Sequence, residues 1–166
     1  MSPAGYSGAP LARKLGVKPG ARVGLIGAPA GFQSELGALP EGVVLRERAR
    51  GPLDVIVAFF DRRSQLERRL PALRAALDPA GGLWTAWPKR ASGVFTDLSE
   101  NVVREVGLAA GLVDNKVCAI DDLWSGLRFV YRLGDRPKGG HAGSIRERSS
   151  PVAPGPEQGS QSRGSG

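Results

Sequence analysis

The stretch LDVIVAFF, residues 53–60, limits the fold more than any other part of the chain. It is apolar throughout except for Asp54, and it mixes β-branched with aromatic residues. A run of this length and composition reads as a strand covered on both faces, as in a parallel sheet, rather than one half-open to water. Such a strand needs crossover helices to cover it. The segment DRRSQLERRLPALRAAL (61–77) supplies one, with Leu66, Leu70, Leu73 and Leu77 recurring on one helical stripe. Arg62, Arg63, Arg68, Arg69 and Arg74 fall largely off it. Pro71 predicts a kink or a second short helix, and DPAGG marks the stop.

The rest follows the same alternation. ARVGLIGA (21–28), EGVVLRERA (41–49) and GGLWTAWP (81–88) read as further strands. TDLSENVVREVGLAAG reads as an amphipathic helix, which Asp97 and Glu100 start at capping-box spacing. LVDNKVCAI and GLRFVYRL read as strands joined by too few residues for a crossover, so they pair antiparallel. The order β-α-β-β-α-β-α-β-β predicts an α/β fold with a mostly parallel sheet and a C-terminal antiparallel strand pair. Trp84, Trp87 and Trp124 lie in or beside strands and read as packing residues.

The predicted organisation is an N-terminal arm (1–20, containing Tyr6), one α/β domain (21–136) and a tail (137–166). The tail is rich in Gly, Ser and Pro and is expected to be disordered. The formal charge is +7, which permits anionic partners without specifying a site. Cys118 is the only cysteine and is expected to be a buried, inert thiol on a strand. His141 is the only histidine and falls in the tail. No disulfide, no metal site and no Ser-His-Asp or Cys-His engine is expected in the domain. Without an apolar leader or a run long enough to span a bilayer, the expected location is cytoplasmic, with no membrane partner.

Two resemblances follow. KPGARVGLIGAPAG and LDPAGGLWTAW resemble the first motif and the helix-to-strand step of class I S-adenosylmethionine-dependent methyltransferases, whose fold is Rossmann-like. That resemblance implies a shortened methyltransferase-like topology, lacking one strand–helix unit before LDVIVAFF. It also implies S-adenosylmethionine as cofactor. The chain departs from the motif at Leu25, where the family has an acid, and at Pro29, where it has a glycine. Glu47 is the one candidate for the acid that holds the ribose. The segments AGYSGAPLARKLGVKPG, WTAWPKRASGVFTDLSENVVREVGLAAGLVDNKVCAID and WSGLRFV resemble a small actinobacterial family, domain of unknown function number three thousand and fifty-two. This second resemblance implies a small α/β domain and carries no catalytic residues.

Ligands of open α/β sheets sit beyond the carboxyl ends of the strands. The candidate ligand-binding residues there are Gly27 and Gly31 in the first turn, Asp61 after the third strand, and Lys89, Ser92, Gly93 and Thr96 after the fourth. The last group offers backbone N–H groups and a cation to a small anion. Helix capping by Thr96 or Asp97 explains the same residues without a ligand. Arg46, Arg48 and Arg50 alternate along the second strand and share a face. They suit nucleic acid only weakly, lacking interleaved aromatics, and read better as a solvated edge. The leading expectation is an accessory, non-catalytic domain that binds a small anionic ligand or a protein partner and needs no cofactor. The alternatives are an active S-adenosylmethionine-dependent enzyme and a nucleic-acid-associated protein.

Overall fold

A computed structural model of the chain describes residues 10–135. Tyr6, His141 and the predicted tail lie outside the described residues. Six strands form one sheet in the order β2-β1-β3-β4-β6-β5. They are β1 (Arg22–Ile26), β2 (Val44–Arg46), β3 (Leu53–Phe59), β4 (Leu77–Pro88), β5 (Leu112–Ala119) and β6 (Trp124–Tyr131). The first four run parallel, and β6 turns antiparallel between β4 and β5. This is the mostly parallel sheet with a C-terminal antiparallel pair that the alternation predicts. β2 leads into β3 through residues 47–52 alone, with no strand–helix unit between them.

The central strand β3 is buried almost throughout, as its unbroken apolar run requires. One face of the sheet lies under α3 (Arg63–Ala76) and α4 (Glu100–Ala109). Leu66, Leu70 and Leu73 of the predicted stripe are buried there with Val103, Val106 and Phe129, and Leu77, its fourth member, is buried in the same core but opens β4 instead of closing the helix. The opposite face has a thinner cover: α1 (Leu11–Lys14), α2 (Phe32–Leu36) and the coil around them. Ala12, Leu15 and Val17 pack on Trp84 and Val57 on that side. Trp84 is fully buried and its indole N–H donates to the carbonyl of Leu15 at 2.9 Å. The hydrogen bond satisfies a buried donor and ties the segment before β1 to the middle of the sheet.

Several predicted boundaries are corrected. β1 stops at Ile26 rather than residue 28, because Gly27 takes φ +67° and turns the chain out of the strand. β2 is Val44–Arg46 rather than 41–49, so Arg46, Arg48 and Arg50 do not alternate along one strand, although all three are exposed. α3 runs through Pro71 as one helix, without a second start. β4 begins at Leu77 rather than residue 81. Its pairing jumps from Leu53↔Leu77 to Val55↔Gly82, so Asp78–Gly81 bulge out of register. α4 starts at Glu100, because Ser99 rather than Thr96 or Asp97 is its N-cap; the Ser99 hydroxyl accepts from the amide of Val102 at 3.3 Å.

At the amino ends of the strands, Arg22 grips Asp54. Its backbone amide, Nε and Nη2 all donate to that carboxylate, at 2.7, 3.0 and 2.9 Å. Burial pushes the Asp54 carboxyl up, but the contacts from Arg22 outweigh it and hold the group below its ordinary value.

Candidate functional site

The turn after β1 builds a cavity. Gly27 and Gly31 both adopt positive φ, at +67° and +87°, and Gly31 is the N-cap of α2. A Cβ on Gly27 would come within 3.2 Å of the carbonyl of Phe59, so the residue serves both the turn and the close approach of β3. The amide of Phe32 donates to the carbonyl of Pro29 at 3.1 Å and closes the loop. Below it, the buried ring of Phe32 meets Phe59 edge-on at 4.9 Å, and Phe59 meets Trp124 at 5.0 Å. This aromatic row gives the turn a rigid floor. Above the floor lies a cavity of about 590 Å³, bounded by Leu25, the loop from Gly27 to Ser34, and Glu47. Among the described residues, the amides of Ala30 and Gly31 donate to no protein acceptor. Glu47 is the one carboxylate among the residues that bound the cavity.

Gly27 and Gly31 therefore line one site, but Asp61, Lys89, Ser92, Gly93 and Thr96 do not share it. Those five belong to a separate loop cluster at the ends of β3 and β4, and its hydroxyls are spent on the chain itself. Ser92 Oγ donates to the carbonyl of Lys89 at 2.7 Å and accepts from the amide of Val94 at 3.1 Å. Thr96 Oγ1 donates to the carbonyl of Asp61 at 2.7 Å and accepts from the amide of Leu98 at 3.0 Å. The amide of Lys89 donates to the carbonyl of Leu123 at 2.8 Å, and Gly93 ends a short 3-10 turn with φ +79°. Asp97 has a role that its spacing to Glu100 did not suggest. It reaches across to α3, where its Oδ1 accepts from the amide of Arg63 at 2.7 Å. Arg62 lies over the exposed ring of Phe95 at 4.7 Å and donates to its carbonyl, strapping the loop to α3.

Glu35 carries no motif, and the sequence reading missed it. It sits on α2, facing Asp121 and Asp122 of the β5–β6 turn. Burial, a hydrogen bond with Asp121 and the charges of Asp121 and Asp122 push its pKa to about 7. Only the fold brings these carboxyls together, since Glu35 and Asp121 lie 86 positions apart in the chain. Cys118 lies on β5 as expected but is half-buried rather than buried; burial pushes its thiol up, and Lys14 and Lys116 pull it part-way back. Among the described residues, no group of three His, Cys, Asp or Glu side chains gathers as a metal site would require. No described helix is long and apolar enough to cross a membrane.

No protein-family model matches the chain, and no curated protein does. Solved structures do. A S-adenosylmethionine-dependent methyltransferase from Aquifex aeolicus is 16% identical, with a TM-score of 0.54 over 70% of this chain and 85% of that one. A protein from Bordetella parapertussis described as exported is 16% identical, with a TM-score of 0.53 over 73% of this chain and 65% of that one. A ribosomal protein L11 methylase from Lactobacillus delbrueckii is 14% identical, with a TM-score of 0.50 over 74% and 75%. The fold is the Rossmann-like fold of class I methyltransferases. At these identities the likeness speaks of the scaffold, and function has to be argued from the site.

Proposed function

We propose that the chain is a ligand-binding domain on a methyltransferase scaffold. It takes an adenosine-type nucleoside in the cavity after β1 and acts as an accessory unit rather than as a catalyst. One observation carries this reading: the glycine turn and the lone carboxylate of Glu47 bound the same cavity, at the carboxyl ends of β1 and β2. A carboxylate accepts hydrogen bonds from two vicinal hydroxyls, and backbone amides of the turn that no other residue uses suit the polar edge of a base.

The residues fit the nucleoside half of S-adenosylmethionine better than its amino-acid half. Leu25, only 3% exposed, gives that wall an aliphatic side chain where the methyltransferase motif has an acid. Pro29 removes one backbone donor from the turn. The hydroxyls of Ser92 and Thr96 are committed to the loop. In this reading the loop from Lys89 to Thr96 is scaffold rather than an anion site. The same reading keeps the chain within the small actinobacterial family, on the strength of the quoted motifs, and in the cytoplasm.

Thermal unfolding with adenosine, S-adenosylhomocysteine and S-adenosylmethionine tests the proposal. Stabilisation should grow with ligand concentration, by about 2.7 kcal/mol at a hundred times Kd, and Glu47→Ala should remove most of it. A flat response to all three would sink the reading. A second reading, an active S-adenosylmethionine-dependent enzyme, draws on the scaffold shared with the Aquifex protein. Conversion of S-adenosylmethionine to its demethylated product by the purified chain with cell extract, absent from extract alone, would favour it.

A further inference from the structure

A second cavity, of about 530 Å³, opens at the other end of the sheet, beneath the amino ends of β1 and β3. Gly16, Lys18, Arg22, Asp54, Asp78 and Arg128 bound it. Its charges are not evenly matched. Asp54 is saturated by Arg22. Asp78 accepts from the amide of Ala80 at 3.0 Å and lies 3.8 Å from the same arginine. Among the described residues, Lys18 and Arg128 have no carboxylate within salt-bridge distance. The cavity thus holds three cations against two acids that are already engaged.

Arg128 is the unusual member. It lies mid-strand on β6, opposite Trp84 of β4, on the thinly covered face. Its guanidinium rests on Gly82, where any Cβ would collide with it. The missing side chain is therefore what lets the group lie against the sheet. One bond anchors it, from Nη1 to Asn115 Oδ1 at 3.3 Å. The side chain is half-buried, and burial without a counter-charge lowers its pKa. A partly desolvated guanidinium with most of its donors free, on a cavity that Lys18 also lines, is the arrangement that recognises planar or tetrahedral oxyanions.

We infer that this basal cavity binds a small molecule through a carboxylate or phosphoryl group, with Arg128 as its anchor and Lys18 as second cation. The site is independent of the nucleoside cavity, which lies at the opposite ends of the strands.

The test is a titration of the full-length, ¹⁵N-labelled chain with sodium phosphate and, separately, sodium acetate. Sodium chloride at equal ionic strength is the reference. Saturable shifts should appear at Gly81, Gly82 and the Arg128 side-chain N–H, with the amides of Gly27–Gly31 unmoved. Saturation by phosphate alone assigns a phosphoryl group, and saturation by acetate alone a carboxylate. Arg128→Gln should weaken binding about tenfold. Lys18→Gln, on an exposed turn that tolerates the change, should weaken it several-fold and decides the matter if Arg128→Gln does not fold. The inference is overturned if neither anion shifts these amides, if chloride shifts them equally, or if Lys18→Gln binds as the wild type does.

Discussion

The two faces of the sheet bury their cores in different ways. On one, α3 and α4 lay continuous apolar stripes across β3, β4 and β6. On the other, two short helices and coil cover Val55, Val57 and Trp84, and one indole hydrogen bond to Leu15 pins them down. Long helices seal a face, whereas short ones leave gaps at their ends. The cavities bounded by the Gly27–Ser34 loop and by Arg128 both open on the thin face, against Leu25 and Val55 of its core. Cavities and weak cover go together in this fold, because short helices leave gaps that long ones would fill.

The largest effect that separates the faces should come from Trp84→Ala. Losing a fully buried indole should cost about 3–5 kcal/mol and release residues 10–17 to rapid amide exchange. Leu73→Ala, under the thick cover, should cost about 2–5 kcal/mol and leave those amides protected. Equal exchange in the two variants would erase the contrast. Gly107→Ala probes the thick face from the opposite direction. Its Cβ would run into the ring of Phe129, and the overpacking should cost about 1–3 kcal/mol in denaturant unfolding. If the substitution is neutral, that face is looser than its packing implies.

Smaller effects depend on pH. Arg22 holds the Asp54 carboxyl below its ordinary value, so the pair's contribution to stability is fully present above that ordinary value and is lost as pH falls from it through the lower folded value. Arg22→Gln should cost about 1 kcal/mol near pH 7 and much less near pH 3. A constant cost across that range would contradict the assignment. Glu35 behaves in the reverse sense. Its folded pKa is raised to about 7, so its native state favours the proton, and stability is lost as pH rises from about 4.5 through 7. Because the side chain is exposed, Glu35→Gln should recover well under 1 kcal/mol at pH 8, read as a flatter dependence of Tm on pH.

The thick face was legible from sequence and the thin one was not. Leu66, Leu70, Leu73 and Leu77 recur with a helical period, and LDVIVAFF is continuous enough to place β3 at the centre. Periodicity of that kind exists only where an element is long. A helix of four residues has no repeat to detect, so the contribution of Leu11–Lys14 to the core left no signal. β2 was overestimated because VVL runs on into RERA, whose arginines fall at alternate positions, but only Val44–Arg46 find a partner strand. At the candidate site, Gly27 and Gly31 were readable because turn chemistry is local, and Glu47 was readable only through the resemblance to the methyltransferase motif. The pairing of Glu35 with Asp121, the cap that Asp97 provides for α3 and the bed that Gly82 makes for Arg128 each depend on contacts between distant segments.

The central claim is that the thin-face cavity after β1 takes a nucleoside. The most direct measurement is amide hydrogen exchange on the chain with and without saturating S-adenosylhomocysteine. Protection should rise across Gly27–Ser34 and around Glu47, with α3 and α4 unchanged. No protection at saturating ligand, or protection confined to the loop from Lys89 to Thr96, would contradict it.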